Sequence, residues 1–290
     1  MVELLTPLAA AGHAVDVSVT AVIARDVVDG IRVRRFRHLD PTSRYDVIVY
    51  NSGLPANALG TIKRMPGAKL MCQHSFQVTD PGLQFADRIW FPSHAAEQAH
   101  TRIGAERRFV ISPPIDPERY RTTPGKKIGL SLSSPWKGGN LVAAMARAMP
   151  RQPFLVVKDG RGNGVNMFTG LRNVELVDFM EPRDFYSRTR VQVFPSLSET
   201  YGRVGVEGAI SGIPLVASLA PGIREAMHAR GIYLDRTDTR AWVRMVNRLM
   251  TDPEAWAKAS RDVTARGDAV RYREDQAAFL AEVEALAGVG

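Results

Sequence analysis

The sequence predicts two doubly wound α/β domains facing a cleft. Three observations carry that expectation. Short β-branched runs alternate with helical stretches along the chain, the pattern of parallel sheets covered by helices. The alternation pauses in a Pro-, Thr-, Gly- and Lys-rich stretch ending at Lys127 and then restarts. The length of 290 residues is enough for about two domains. This places residues 1–118 in one domain and 126–273 in the other, followed by a last helix over 274–290.

The composition fits an ordinary soluble globular chain, at 45% hydrophobic and 23% charged residues. No apolar run approaches the ~20 residues needed to cross a bilayer. Glu3, His13 and Asp16 interrupt what a signal peptide would keep basic or apolar. The single cysteine, Cys72, excludes an internal disulfide framework and permits a reducing compartment, so the cytoplasm is the expected location. A net charge of +8 suits polyanionic surroundings: a nucleotide diphosphate, nucleic acid or the face of an anionic membrane. The excess is spread, with 13 Lys and Arg against 10 Asp and Glu in residues 1–113 and 25 against 20 thereafter.

In chain order, Met1 to Ala11 reads as a helix with Leu4, Leu5 and Leu8 on one side and Gly12 as its stop. Ala14 to Val19 alternates like a strand. Ile31 to His38 is strand-like and carries four arginines, which suits an outer strand whose charges discourage edge pairing, or a phosphate-facing patch. Tyr45 to Tyr50 and Lys69 to His74 are buried strands, with His74 at a strand C-terminus, where ligands gather in open α/β sheets. Ala86 to Ser93 leads into a helix from His94 to Ile103, and Val110 to Arg119 into a turn. The second half opens with strand Ile128 to Leu132, the turn Ser133 to Gly139 and helix Asn140 to Met149. Strand Phe154 to Lys158 follows. Gly160, Gly162 and Gly164 are spaced wrongly for a dinucleotide fingerprint and read as a turn. Asn173 to Met180 is a further strand and turn. Helices Arg240 to Met250, Pro253 to Arg266 and Glu274 to Leu286 close the chain. The histidines lack metal-ligand spacing, and no Gly-x-Ser-x-Gly elbow is present.

The stretch with chemical content runs from Phe194 to Ala226. Val191 to Phe194 is a strand stopped by Pro195. A helix follows from about Gly202 to Ser211, ended by Gly212 and Pro214. Ile213 to Ala217 is the next strand. A helix N-terminus offers unpaired N–H groups and partial positive charge to a phosphate, and Gly202 lets a ligand approach them. Glu207, further along the helix, is an acceptor that two adjacent ribose hydroxyls would fit. Glu199 lies nearer the rest of such a ligand. Spacing alone also allows a plainer reading, in which Glu207 forms a surface i,i+4 pair with Arg203 and Glu199 is a helix-start acid.

Pro195, Ser196, Glu199, Tyr201, Gly202, Glu207, Gly212 and Pro214 resemble the Glu-x7-Glu signature of retaining GT-B glycosyltransferases of the glycosyltransferase-4-like group. The later Pro-Gly-Ile-Arg-Glu resembles that group's Gly-x-x-Glu, and Lys137-Gly138 its Lys-Gly. Arg203 stands where an apolar residue is usual, Gly208 where Ala is usual, and Asp178 where the base-receiving turn has Gly. Serines replace an arginine that normally precedes Lys137. The resemblance implies a GT-B fold and transfer of a sugar from a nucleotide-diphospho-sugar, UDP or GDP, with retention and without a metal or other cofactor. It implies that the last helix, 274–290, packs back on the first domain, and it implies Glu199, His74 and Lys137 as catalytic. Donor contacts would come from Glu207, Lys137, Arg203, Thr200, Tyr201, Gly202 and Met180. Relatives have a first strand and a Gly-rich loop before the element that opens this sequence, so the first domain is expected to lack its first strand. The acceptor is left open among a saccharide, a lipid-linked glycan and nucleic acid, with peripheral contact to an anionic membrane as a further expectation. A nucleotide-sugar-binding protein without transfer activity is the alternative, and a sugar-nucleotide epimerase a third.

Overall fold

A computed structural model of the chain describes residues 2–19, 27–28, 31–160 and 162–288. Two compact units emerge, residues 1–115 with 271–290, and residues 116–270.

The first unit contains α1 (Val2–Ala10), β1 (Asp16–Val19), β2 (Val27–Val28), β3 (Ile31–Arg35), β4 (Val47–Asn51), α2 (Ala56–Arg64), β5 (Ala68–Cys72), β6 (Arg88–Phe91), α3 (His94–Gln98) and β7 (Arg108–Val110). The strands β4-β5-β6-β7 form a parallel sheet, and β1-β3-β2 form a small mixed sheet in which β1 runs parallel and β2 antiparallel to β3. Period-2 alternation sends side chains to both faces. Met71, Ile89 and Phe91 meet Leu59 and Ile62 of α2 and Ala96 of α3. Leu70, Cys72 and Trp90 point the other way, onto Leu5 and Leu8 of α1. Helices therefore cover both faces, as a doubly wound sheet requires.

The structure departs from four of the sequence expectations in this unit. The arginine-rich strand ends at Arg35, where the backbone tightens into a 3-10 turn over Phe36–His38. It is the middle of its sheet and not an outer strand, since β1 pairs with one edge and β2 with the other. Its Arg34 is held by Asp16 of β1 at 3.0 Å, which offsets the charge. The helix expected from His94 to Ile103 stops at Gln98, and His100 turns inward to hydrogen-bond Ala96 O (2.8 Å) and the Gln73 amide (2.9 Å). The strand expected from Val110 begins earlier, at Arg108, and ends at Val110.

The second unit runs through α4 (Pro117–Tyr120), β8 (Lys127–Leu130), α5 (Gly139–Ala148), β9 (Phe154–Val157), β10 (Val174–Val177), α6 (Pro182–Arg188), β11 (Thr189–Phe194), α7 (Arg203–Ile210), β12 (Leu215–Ser218), α8 (Pro221–Ala226), β13 (Ile232–Leu234), α9 (Thr239–Thr251) and α10 (Pro253–Gly267). Its six strands are all parallel, in the order β10-β9-β8-β11-β12-β13. Val191, Val193 and Val216 face a core with α5 and α9, centred on fully buried Val142, Met145 and Trp242. The opposite face is covered by α6 and α7, and α10 packs on α7. The order reverses between β8 and β11, so the loops leaving their C-terminal ends diverge to opposite faces. That is the switch point where open α/β sheets leave room for a ligand.

The last helix, α11 (Tyr272–Ala287), belongs to the first unit. Phe279 meets Trp90 edge-on at 5.4 Å, Glu282 pairs with Arg88, and Gln276 bonds the Glu3 carbonyl at 2.6 Å. No helix among the described residues is long and apolar enough to cross a membrane.

Candidate functional site

The two loops flanking the switch point are locked to each other. After β8 the chain makes a 3-10 turn, Pro135–Lys137, and reaches Gly138, a left-handed residue (φ +88°) that starts α5. A side chain at Gly138 would lie 2.4 Å from Pro195, so this Gly lets the loop after β11 pass close by. Leu197 N–H donates to Trp136 O at 3.0 Å. Arg236 donates to Pro195 O and Pro135 O, each at 2.7 Å. Ser218 Oγ, at the end of β12, donates to Ser196 O.

This frame brings Lys137 and Glu199 into a direct ion pair. The Glu199 side chain is only 11% exposed and that of Lys137 30%, so the pair is largely withdrawn from water. Two residues 62 positions apart in the chain, one on each side of the switch point, thus form one cluster.

Next comes the N-terminus of α7. Gly202 is buried and left-handed (φ +90°), and a Cβ there would sit 2.6 Å from Ile223 of α8. The flanking backbone is pinned by Gly222 N–H to Glu199 O at 3.2 Å. Tyr201 is buried, and its hydroxyl meets Arg266 Nη2 at 3.2 Å. Arg266 is itself 5% exposed and donates from Nε to Ala226 O at the end of α8. Thr200 is half-buried between these two anchors.

One turn along α7, Arg203 Nε donates to Glu207 Oε1 at 2.7 Å. The plainer sequence reading foresaw this i,i+4 pair, but as a surface one; Glu207 is 7% exposed. Arg203 Nη2 also reaches Tyr120 Oη at 2.8 Å, with the guanidinium 5.8 Å from that ring. Glu207 Oε2 accepts from Tyr186 Oη at 2.9 Å. Burial pushes the Tyr186 hydroxyl well above its ordinary value and the Glu207 charge adds to the shift, so this phenol stays protonated.

Lys137, Glu199, Thr200, Tyr201, Gly202, Arg203 and Glu207 therefore share one region of the second unit. Met180 lies past β10 at the sheet edge, two strands from β8, and hydrogen-bonds none of them among the described residues. Asp178, beside it, pairs with Lys158 at 3.1 Å. His74 stands in the first unit, two residues beyond β5. Its N–H donates to Ser52 Oγ (3.1 Å), and its ring is edge-on to Trp90 at 5.3 Å. Desolvation lowers its pKa, although part of the residue reaches solvent.

Sequence reading missed Tyr186, Tyr120, Arg266 and Arg236. Pro182 at the first helical position, with Asp184 in the first turn, was the available signal for α6 and hence for Tyr186. No local signal marks the other three.

Residues 134–252 match the family model for glycosyl transferases group 1. That segment holds Lys137, Glu199, Arg203 and Glu207. D-inositol 3-phosphate glycosyltransferase of Thermobispora bispora is 33% identical over 82 residues, covering 28% of this chain and 19% of the relative. The enzyme of the same name from Stackebrandtia nassauensis is 27% identical over 191 residues, 52% of this chain and 42% of the relative. The chain spans less than half the length of these curated relatives. Among solved structures, Anabaena HepE in complex with UDP-glucose superposes with a TM-score of 0.78 at 18% identity, covering 98% of this chain and 94% of the other. Sucrose-phosphate synthase of Thermosynechococcus elongatus gives 0.76 at 19%, covering 98% and 90%. The chain has the GT-B fold.

Proposed function

We propose that this chain is a retaining glycosyltransferase that takes its sugar from a nucleotide-diphospho-sugar held by the second unit. The observation that carries the reading is the cluster at the β8/β11 switch point. There a Lys–Glu pair, the Gly202 end of α7 and the buried Glu207 follow one another in the order of a sugar, a diphosphate and a ribose. The match of residues 134–252 to glycosyl transferases group 1 supports it, as does the likeness to a protein solved with UDP-glucose.

In this reading Glu207 accepts from the ribose hydroxyls and Glu199 orients the sugar. The leaving diphosphate gains negative charge as the anomeric C–O bond breaks. Lys137, Arg203 and the N–H groups at the Gly202 end of α7 offset that charge, an electrostatic contribution preorganised by the fold. The acceptor hydroxyl attacks from the face the diphosphate is leaving and passes its proton to a diphosphate oxygen, so configuration is retained. No step in this reading calls for a metal.

The test is titration of UDP, GDP and ADP into wild type and Glu207→Ala, followed by turnover of UDP-glucose and GDP-mannose in the presence of EDTA. Hydrogen bonds to a charged acceptor contribute ~1.5–3 kcal/mol, so the variant should lose more than about tenfold in affinity for the preferred nucleotide. The released sugar or glycoside should keep the donor's anomeric configuration. Equal affinities for every nucleotide in both proteins would refute the ribose assignment. Binding with no turnover of any donor would favour a nucleotide-sugar-binding protein instead.

A further inference from the structure

We infer that Tyr186 is the positioning residue that keeps Glu207 able to read a ribose, because it stops Arg203 from closing over both carboxylate oxygens. The inference rests on the ribose assignment made above. Glu207 is buried, and each of its oxygens already accepts one bond, Oε1 from Arg203 Nε at 2.7 Å and Oε2 from Tyr186 Oη at 2.9 Å. A carboxylate has about four acceptor sites, so roughly one is left on each oxygen. Two such sites are what a pair of neighbouring hydroxyls would use.

The arrangement is not self-evident, because Arg203 carries a fork of donors matched to a carboxylate. The parallel, two-pronged Arg–carboxylate pair is the strong geometry for these groups. Rotation of a Glu carboxylate about its last bond is broad and soft. Without an opposing donor, Oε2 can swing toward the guanidinium and be consumed. Tyr186 supplies that opposing donor from α6, to the carboxylate oxygen that Arg203 Nε does not hold. It is placed to do so rigidly. Its ring is 1% exposed and stacks edge-on with Phe185 at 5.3 Å and Tyr120 at 6.4 Å. Its hydroxyl also lies 3.0 Å from Val204 O, one turn before Glu207. Both neighbours of that hydroxyl are acceptors, and of the two the charged, nearer carboxylate is the stronger partner for its single proton. Tyr120 works from the other end, keeping Arg203 Nη2 engaged at 2.8 Å.

The experiment uses the tightest-binding of UDP, GDP and ADP together with its 2′-deoxy and 3′-deoxy forms. Each is titrated by calorimetry into wild type, Glu207→Gln, Tyr186→Phe and Tyr186→Phe/Arg203→Gln. Wild type should prefer the ribonucleotide by about tenfold over at least one deoxy form. Tyr186→Phe should cut that ratio to about threefold or less, and removing Arg203 as well should restore part of it. A purely structural tyrosine would weaken ribo and deoxy forms alike and leave the ratio intact. An unchanged ratio in Tyr186→Phe, alongside a ratio abolished in Glu207→Gln, would overturn the role of Tyr186 while sparing the ribose assignment. No preference in wild type would overturn the assignment itself, and this inference with it. Should Tyr186→Phe not fold, 4-fluorophenylalanine at the position fills the hydroxyl's space without donating and reads the same ratio.

Discussion

The ion pair between Lys137 and Glu199 makes the sharpest prediction about stability and binding together. Removing Lys137 leaves a carboxylate that is 11% exposed without its cation. Breaking a fully buried pair costs about 3–5 kcal/mol, whereas exposed pairs contribute about 0–1. Lys137 is 30% exposed, so solvent still screens one partner and the cost of Lys137→Ala should be roughly 1–3 kcal/mol. Glu199→Gln removes the charge that needs compensation. The double variant should therefore be more stable than the sum of the singles by about 1–2 kcal/mol. Urea unfolding followed by tryptophan fluorescence is the assay, since Trp136, Trp242 and Trp256 lie in the second unit and only Trp90 in the first.

The same variant tests the chemistry. A point charge facing phosphate should matter for UDP and little for uridine. Lys137→Ala should weaken UDP by about tenfold or more and leave uridine nearly unchanged. If the two substitutions are additive in stability, within about 0.5 kcal/mol, the ion pair is not a coupled unit. If uridine loses as much affinity as UDP, Lys137 acts by holding the loop and not by meeting phosphate.

Two further outcomes follow from backbone geometry and burial. Gly202→Ala must place a Cβ at φ +90° and 2.6 Å from Ile223, so it should cost roughly 1–3 kcal/mol and weaken nucleotide binding by shifting the start of α7; a variant with wild-type melting and affinity would disprove the geometric argument. Burial pushes the Cys72 thiol up to about 12. Its contribution to stability is therefore complete below the unfolded value near 9 and is lost as pH rises from about 9 toward 12, because only the unfolded chain releases that proton. Cys72→Ala should flatten the alkaline fall in urea stability, and the native thiol should resist a disulfide reagent at pH 8; prompt labelling of the folded chain would contradict its burial.

The two-domain α/β architecture was legible because parallel strands buried on both faces leave continuous apolar runs, and Phe154 to Lys158 or Val191 to Phe194 cannot be mistaken for surface. The grouping of residues at the start of α7 was legible because they sit within one motif, from Glu199 to Glu207. What the sequence hid was pairing at long range. Arg34 and Asp16 meet across two strands, which turned an arginine-rich run from an outer strand into a central one. The contact between Lys137 and Glu199 depends on strand order, which no local pattern encodes. The short helices α2, α6 and α8 escaped because six to nine residues give too few turns for a clear period.

The two departures from the motif on α7 become intelligible once its underside is considered. Gln192 is fully buried in the middle of the sheet, on the face opposite Val191 and Val193. A buried amide is costly unless bonded, and its Nε2 donates to Val204 O at 3.0 Å. The other end of that amide occupies the space an alanine would need at 208, since a Cβ on Gly208 would come within 2.3 Å of Gln192 Oε1. Gly208 is thus the counterpart of a polar residue in the neighbouring strand. Arg203 is matched in the same way, by Glu207 on its own helix and Tyr120 beyond it. An apolar residue at 203 would supply no donor to Glu207 Oε1. The polar groups beneath and beside α7, from Gln192 through Tyr186 and Glu207 to Arg203 and Tyr120, form one connected set, so the departures are mutually consistent and not signs of a decayed site. Glu207, at the centre of that set, is held from both sides with acceptor capacity to spare, which is the condition a ligand-reading carboxylate must meet.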